Sequence, residues 1–342
     1  MTLKSLAYAL AAATLIPTAA LAADADQWLT LDGAPDLPGS GKKVVLISGD
    51  EEYRSEEAMP QLAKILSERH GFDTTVLFPI NPESGLIDPN HGSNIPGLEA
   101  LGDADLAIIQ LRFRHLPDDQ MKHIIDYTNS GKPIIGLRTS THAFNFPGDS
   151  ESPYAKYTWT SSDPKGGWGQ QVLGDTWINH HGDHGTESTR GVINEDAKDH
   201  PILTGVDDLW GPTDVYGIQN LPDDATVLVH GQVIKGMKPE DAPVEGAKND
   251  PMQPVVWIRE NYQTETGNSS KIITSTFFSA SEMENEDTRR LLVNSAYYAT
   301  GLEDKITPDL DVAPVGDFQP SMFGFKDDKH WKEAALTPAS FK

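Results

Sequence analysis

The chain has no cysteine among its 342 residues. That absence excludes disulfide staples, thiolate metal ligands, a thiol nucleophile and the lipid-bearing cysteine of a lipoprotein. Basic charge is scarce too: 27 Lys and Arg stand against 51 Asp and Glu, a formal net charge of -24. A chain this acidic argues against binding a nucleic-acid backbone, which needs a basic face. Beyond the first residues no apolar run approaches the ~20 residues that a membrane-spanning helix requires. The Gly-x-Gly-x-x-Gly fingerprint, a phosphate-binding P-loop, a Gly-x-Ser-x-Gly elbow and a His-Glu-x-x-His frame are all missing, so no nucleotide cofactor is expected.

What is present begins with an export pattern. Lys4 precedes an apolar stretch from Leu6 to Leu15, and Ala20-Leu21-Ala22 forms a small-x-small cleavage site. Residues 1–22 therefore read as a signal peptide, with the mature chain starting at Ala23 in the periplasm or outside the cell. Residues 23–41 form a Pro/Gly-rich lead-in. From Lys43 the pattern alternates: strands at Lys43–Ser48, Phe72–Phe78, Asp105–Leu111 and Pro133–Leu137, with helices at Glu56–His70 and Pro117–Asn129 between them. This order predicts an α/β fold with a doubly wound, mostly parallel sheet of the flavodoxin-like kind. Further strands are expected at Val227–Gly231, Pro254–Arg259 and Lys271–Phe277, and a closing helix at Thr288–Thr300. One main domain over 42–303 is expected, followed by an extended C-terminal arm, 304–342, with several prolines and no helical or strand period.

Four segments concentrate chemistry. Apolar Pro133–Leu137 breaks into Arg138, three hydroxyl residues and His142, groups that a buried parallel strand delivers to the carboxyl edge where ligands of such sheets bind. At the same edge Glu52, Tyr53 and Arg54 follow the first strand, either lining a cleft or serving the helix start. Arg112 and Arg114 end the third strand, two residues apart and so facing the same way, as a fork for carboxylate or sugar oxygens or as a surface ion-pair set. The densest cluster is Asn179-His180-His181-Gly-Asp183-His184-Gly185, which on a loop can hold a divalent ion, zinc first, or else line a polar sugar site. His200 before Pro201 starts a turn or joins Asp214 and Tyr216 near the cleft. Trp159, Trp168 and Trp177 lie in or beside a long glycine-rich loop.

These pieces together resemble the trehalose-utilisation, or ThuA-like, family. The likeness runs from Lys43 to Gly301, through Ile-Gly-Leu-Arg138-x3-His142-Ala-Phe, Leu173-Gly174-x5-His-His, His200-Pro-Ile, Asp214-x-Tyr216, Pro254-Val-Val-Trp257 and Arg289-Arg-Leu-Leu-x-Asn-x-x-Tyr-Tyr-Ala-x-Gly301. It departs from the family at Thr276–Glu282, where relatives carry Gly-His, and at Arg112–His115, where they carry Trp-Gly-His. The resemblance implies a class I glutamine amidotransferase-like fold lacking the catalytic cysteine, so amidotransfer is excluded. It also implies a role in sugar metabolism on a glycoside or oxidised (keto) sugar, as a hydrolase, lyase or isomerase, and a divalent metal held by histidines. On that reading Arg112, Arg114 and Arg138 fix a small carbohydrate ligand, with Glu52, Tyr53, Arg54, Trp168 and Trp177 beside it. His142 acts as base or ligand, Asp214 with Tyr216 supports proton transfer, and His115, His180, His181 and His184 are the metal candidates. The rival is a non-catalytic carbohydrate-binding or scaffold domain in which Trp159, Trp168 and Trp177 stack on sugar faces.

Overall fold

Residues 27–342 are described by a computed structural model, and the expected signal segment lies outside the described residues. Its centre is built by three uninterrupted apolar runs. Strands β2 (Lys43–Gly49), β4 (Leu106–Leu111) and β5 (Ile134–Leu137) pair in parallel, and successive residues bury on opposite faces. Val44, Leu46, Ile108 and Ile135 join the core under helices α1 (Ser55–Lys64) and α3 (Glu286–Ala299). Val45, Ile47, Ala107 and Ile109 join the core under α2 (Asp118–Asn129). Strands covered on both faces need no alternation, which is why they read as continuous hydrophobic segments.

Among the described residues the sheet has ten strands, in the order β1 (Trp28–Leu31), β3 (Asp73–Leu77), β2, β4, β5, β10 (Ser269–Ser275), β9 (Gln253–Gln263), β8 (Ala225–Ile234), β6 (Ser188–Ile193) and β7 (Trp210–Gly211). Strand β3 (Asp73–Leu77) lies on one side of β2 and β4 on the other, so the chain reverses direction across the sheet between β2 and β4. A crevice opens outside the carboxyl ends of two strands related in this way. Helix α1 runs on through a π-turn at Ile65–Arg69, and Gly71 (φ 83°) ends it: its N–H reaches Ser67 O at 3.1 Å while Phe72 N–H reaches Leu66 O at 3.0 Å. These two bonds close the helix end around a left-handed residue, a backbone conformation that glycine adopts at low cost.

The expected mostly parallel sheet is corrected here to a mixed one. Among the described residues four strand pairings are parallel (β3–β2, β2–β4, β4–β5, β5–β10), while the other five are antiparallel. Strand β9 (Gln253–Gln263) passes to β10 (Ser269–Ser275) through a turn over 264–268. A connection that short cannot cross over, so the pair must run antiparallel. Strands β8 (Ala225–Ile234), β6 (Ser188–Ile193) and β7 (Trp210–Gly211) extend the same ribbon. The lead-in holds β1 (Trp28–Leu31), paired antiparallel with β3. No helix of the described residues is long and apolar enough to cross a membrane.

The segment after Ile306 is not wholly extended. It contains α4 (Asp328–Ala334), whose N-terminus is capped by Asp327 accepting from His330 N at 2.8 Å. Seven residues make under two turns and only Trp331 is buried, so no 3.6-residue period shows in the sequence. The arm is belted to the body by Arg69, which donates to Ala313 O, Pro314 O and Asp311 Oδ2, and by Arg289, which donates to Val312 O.

Candidate functional site

The carboxyl ends of β2, β4 and β5 each turn through a non-glycine residue with positive φ: Arg54 (59°), Phe113 (51°) and Arg138 (42°). Side chains larger than glycine are strained there, and such strain persists only where the surroundings over-determine it. Asp50 shows how. Fully buried, it accepts Glu52 N at 2.8 Å and Tyr53 N at 3.0 Å on Oδ1, and Thr139 Oγ1 at 2.6 Å on Oδ2, so one carboxylate locks the β2 turn to the β5 turn.

Arg138 occupies the sharp turn straight after β5. Its guanidinium lies between two phenol rings, 3.8 Å from the Tyr216 centroid and 4.6 Å from that of Tyr53. Nη2 donates to Asp214 Oδ1 at 2.9 Å and to Tyr53 Oη at 3.1 Å, and Nη1 donates to the carbonyls of Asp214 and Thr276, both at 2.7 Å. The turn thus carries a buried cation, aimed at one carboxylate.

Asp214 is the hub. Its Oδ2 meets His180 Nδ1 at 2.7 Å and its Oδ1 meets His184 Nδ1 at 2.9 Å, while His184 Nε2 lies 3.3 Å from Glu52 Oε1. Burial by itself would raise the Asp214 pKa, yet the Arg138 charge and the two imidazole hydrogen bonds hold its carboxyl well below the usual carboxylate range. Hydrogen bonds to Asp214 and then Glu52 push His184 up to about 9, against a smaller loss from burial. Asp214 is sealed, whereas the side chains of His180 and His184 are each 35 % exposed, so the cluster opens to solvent through its imidazoles.

Around the imidazoles runs a belt of aromatic rings. His180 packs on Trp177 (5.6 Å) and Tyr216 (5.5 Å), Trp177 on Trp159 (5.7 Å), Trp159 on Phe113 (5.6 Å), and His184 on Phe323 (5.2 Å). His142 lies inside this belt, 4.8 Å from Phe113 and 5.6 Å from Trp177. Burial first, then Arg112, Arg138 and His180, holds its pKa well below the ordinary value, so it is a neutral imidazole, with Nδ1 3.2 Å from Thr141 Oγ1.

The structure thus brings together Glu52, Tyr53, Arg138, His142, Trp177, His180, His184, Asp214 and Tyr216. It places the other expected residues elsewhere. Arg54 is buried, its guanidinium 5.0 Å from the Trp331 ring. Arg114 turns inward to the carbonyls of Pro89 and His91 and to Glu51, while Arg112, bound to Glu51 and Glu52, keeps a partly exposed side chain. The two arginines do not form a free fork, because the turn at Phe113 ends the strand alternation. Trp168 is buried in the core under α2, donating Nε1 to Thr128 at 3.2 Å. His181 bonds Lys248 O at 2.8 Å, His115 is exposed beside Gly92, and neither joins the cluster. His200 accepts from Ile202 N and so starts a turn. Phe113 and Phe323 escaped the sequence reading. The only signal for Phe323 was its place in Met322-Phe-Gly-Phe325, aromatics in an otherwise polar tail.

No protein-family model and no curated protein matches the chain. Similar solved structures include two described as "Putative thua-like protein". One, from Parabacteroides merdae, is 14% identical with a TM-score of 0.46, over 76% of this chain and 90% of that one. The other, from Bacteroides uniformis, is 15% identical with a TM-score of 0.48, over 82% of this chain and 100% of that one. The mmIFT52 N-terminal domain is also similar, at 10% identity and a TM-score of 0.41, over 76% of this chain and 97% of that one. Likeness of this degree does not bear on function, which has to be read from the site itself.

Proposed function

We propose that the protein is an exported carbohydrate-active protein of the ThuA-like class, acting on a glycoside or oxidised sugar at the His180–Asp214–His184 cluster. The observation that carries this reading is the coupling of two partly exposed imidazoles to one sealed, cation-backed carboxylate inside a belt of aromatic rings. A pyranose has apolar C–H faces and hydroxyl edges, and aromatic walls with a few polar groups between them suit it. Trp177 supports the reading as well, because its Nε1 is buried without a partner, leaving a donor for a ligand oxygen.

The family resemblance implies a divalent metal, and the donor set fits one. His180, His184 and Asp214 offer ligand atoms that all lie within 4.8 Å of one another, and two imidazoles with one carboxylate suit zinc or a similar ion. A metal bound there would polarise a carbonyl or lower the pKa of a bound water. The chain's own residues have separate tasks. Arg138 holds Asp214 ionised and fixed from behind, Glu52 orients His184 through Nε2, and the aromatic belt holds the sugar face and thins the water around it. With no metal bound, Nδ1 of His180 is tied to Asp214, which leaves its Nε2 as the atom that takes or returns a proton at a substrate hydroxyl.

The test compares the wild type with Asp214→Asn. Zinc is added to chelated protein while the melting temperature is followed, and turnover of a panel of keto-glycosides is assayed in parallel. Zinc stabilisation and turnover in the wild type, both lost in a folded Asp214→Asn, are the expected outcome. Turnover that survives the substitution overturns the assignment of the site.

A further inference from the structure

We propose that the C-terminal arm adds a sugar-stacking subsite to this centre: the exposed ring of Phe325, laid on the Arg112 guanidinium, takes the apolar face of a pyranose at the Arg112 edge of the site. This rests on the carbohydrate reading of the site. Phe325 and Met322 are the two exposed large hydrophobic residues among the described ones, at 62% and 51% exposure, and both lie in the segment that crosses the carboxyl edge. Single exposed apolar side chains are ordinary on a protein surface. This pair differs in being held in place. Gly324 N donates to Glu52 O at 2.8 Å, and Asn90 Nδ2 donates to Lys326 O at 3.1 Å, so the backbone is fixed on both sides of Phe325.

The Arg112 guanidinium lies 5.0 Å from the Phe325 centroid and 4.6 Å from that of Phe113. Its own position is set by Glu51 and by Glu52 Oε2 at 3.3 Å. From Phe325 a continuous path of contacts leads inward through Arg112 and Glu52 to His184, and a second through Arg112 and Phe113 to His142. Phe323, one residue beyond Gly324, closes the same corner by packing at 5.2 Å on His184 and 5.4 Å on Tyr53. The outer surface is therefore one aromatic face bordered by the partly exposed groups Arg112 and Glu51, at 18% and 16%. An apolar face edged by hydrogen-bonding groups complements a sugar ring, whereas a protein partner requires a broader apolar patch than two side chains provide.

The subsite is tested by saturation-transfer NMR and calorimetry on the whole protein. The probes are methyl α- and β-D-glucopyranoside, methyl β-D-galactopyranoside, maltose, cellobiose and a methyl keto-glucopyranoside. Phe325→Ala should weaken a bound glycoside by roughly five- to tenfold, the scale of one aromatic stacking contact. Phe325→Trp should restore it, and the exposed position means that the melting temperature stays unchanged in both. An unchanged Kd in Phe325→Ala, or an equal loss in Phe325→Trp, overturns the subsite and leaves the carbohydrate reading standing. Failure of every probe to bind the wild type overturns the carbohydrate reading, and the subsite with it.

Discussion

Arg138 grips Asp214 twice, through Nη2 to the carboxylate at 2.9 Å and through Nη1 to the backbone carbonyl at 2.7 Å, with both side chains fully buried. Removing the cation would leave only the two partly exposed imidazoles against the buried Asp214 charge. Arg138→Met should therefore lower stability by about 3–5 kcal/mol in urea unfolding. A change below about 1 kcal/mol would mean that the two imidazoles alone can hold the carboxylate.

Glu56 stands in the first turn of α1 with neither carboxyl oxygen hydrogen-bonded. Arg54 Nε is 3.5 Å away, yet burial outweighs that attraction and pushes the group from 4.5 up to about 8. The folded state thus keeps a proton that the unfolded chain releases near pH 4.5. Stability from this group is complete below that pH and is lost as pH rises toward 8. Glu56→Gln should match the wild type in acid and exceed it by on the order of 3 kcal/mol at pH 8, read from denaturant midpoints. A constant difference across that range would show that the carboxyl ionises freely.

His70 behaves in the opposite sense. Burial lowers it from 6.5 to about 4, and Nδ1 is bonded to Tyr297 Oη at 2.9 Å while Nε2 has no partner. The unfolded chain takes up a proton below pH 6.5 that the folded state refuses, so stability present above 6.5 is lost as pH falls toward 4. His70→Gln should lose less over that interval, by up to about 3 kcal/mol, in parallel urea titrations at pH 7 and pH 4.5. Parallel losses in both proteins would count against a neutral buried imidazole.

Trp168 and Trp177 should respond in different ways. Trp168 fills the core under α2, so Trp168→Ala should cost about 3–5 kcal/mol and leave glycoside affinity unchanged. Trp177 borders the imidazoles, so Trp177→Ala should weaken affinity at a smaller cost in stability. Calorimetry and thermal melts on the two variants check this, and equal effects on binding would contradict it.

The parallel centre was legible because each of its strands is buried on both faces and each of its helices is long enough to show a period. Strand β6, with Ser188, Thr189 and Arg190, and the two-residue β7 carry no such pattern, since their pairing depends on β8 beside them. Burial is a property of one segment and its period, so sequence by itself determined the β2–β4–β5 core, the carboxyl-edge turn at Arg138 and the cluster of histidines after Asn179. Which imidazoles meet which carboxylate depends on where the chain returns, across 34 and 30 residues to Asp214 and across more than a hundred between Glu52 and His184. Only the tertiary structure decided that His180 and His184 share Asp214 and Glu52, that His115 and His181 stay apart, and that an arm without a period lays Phe323 against His184.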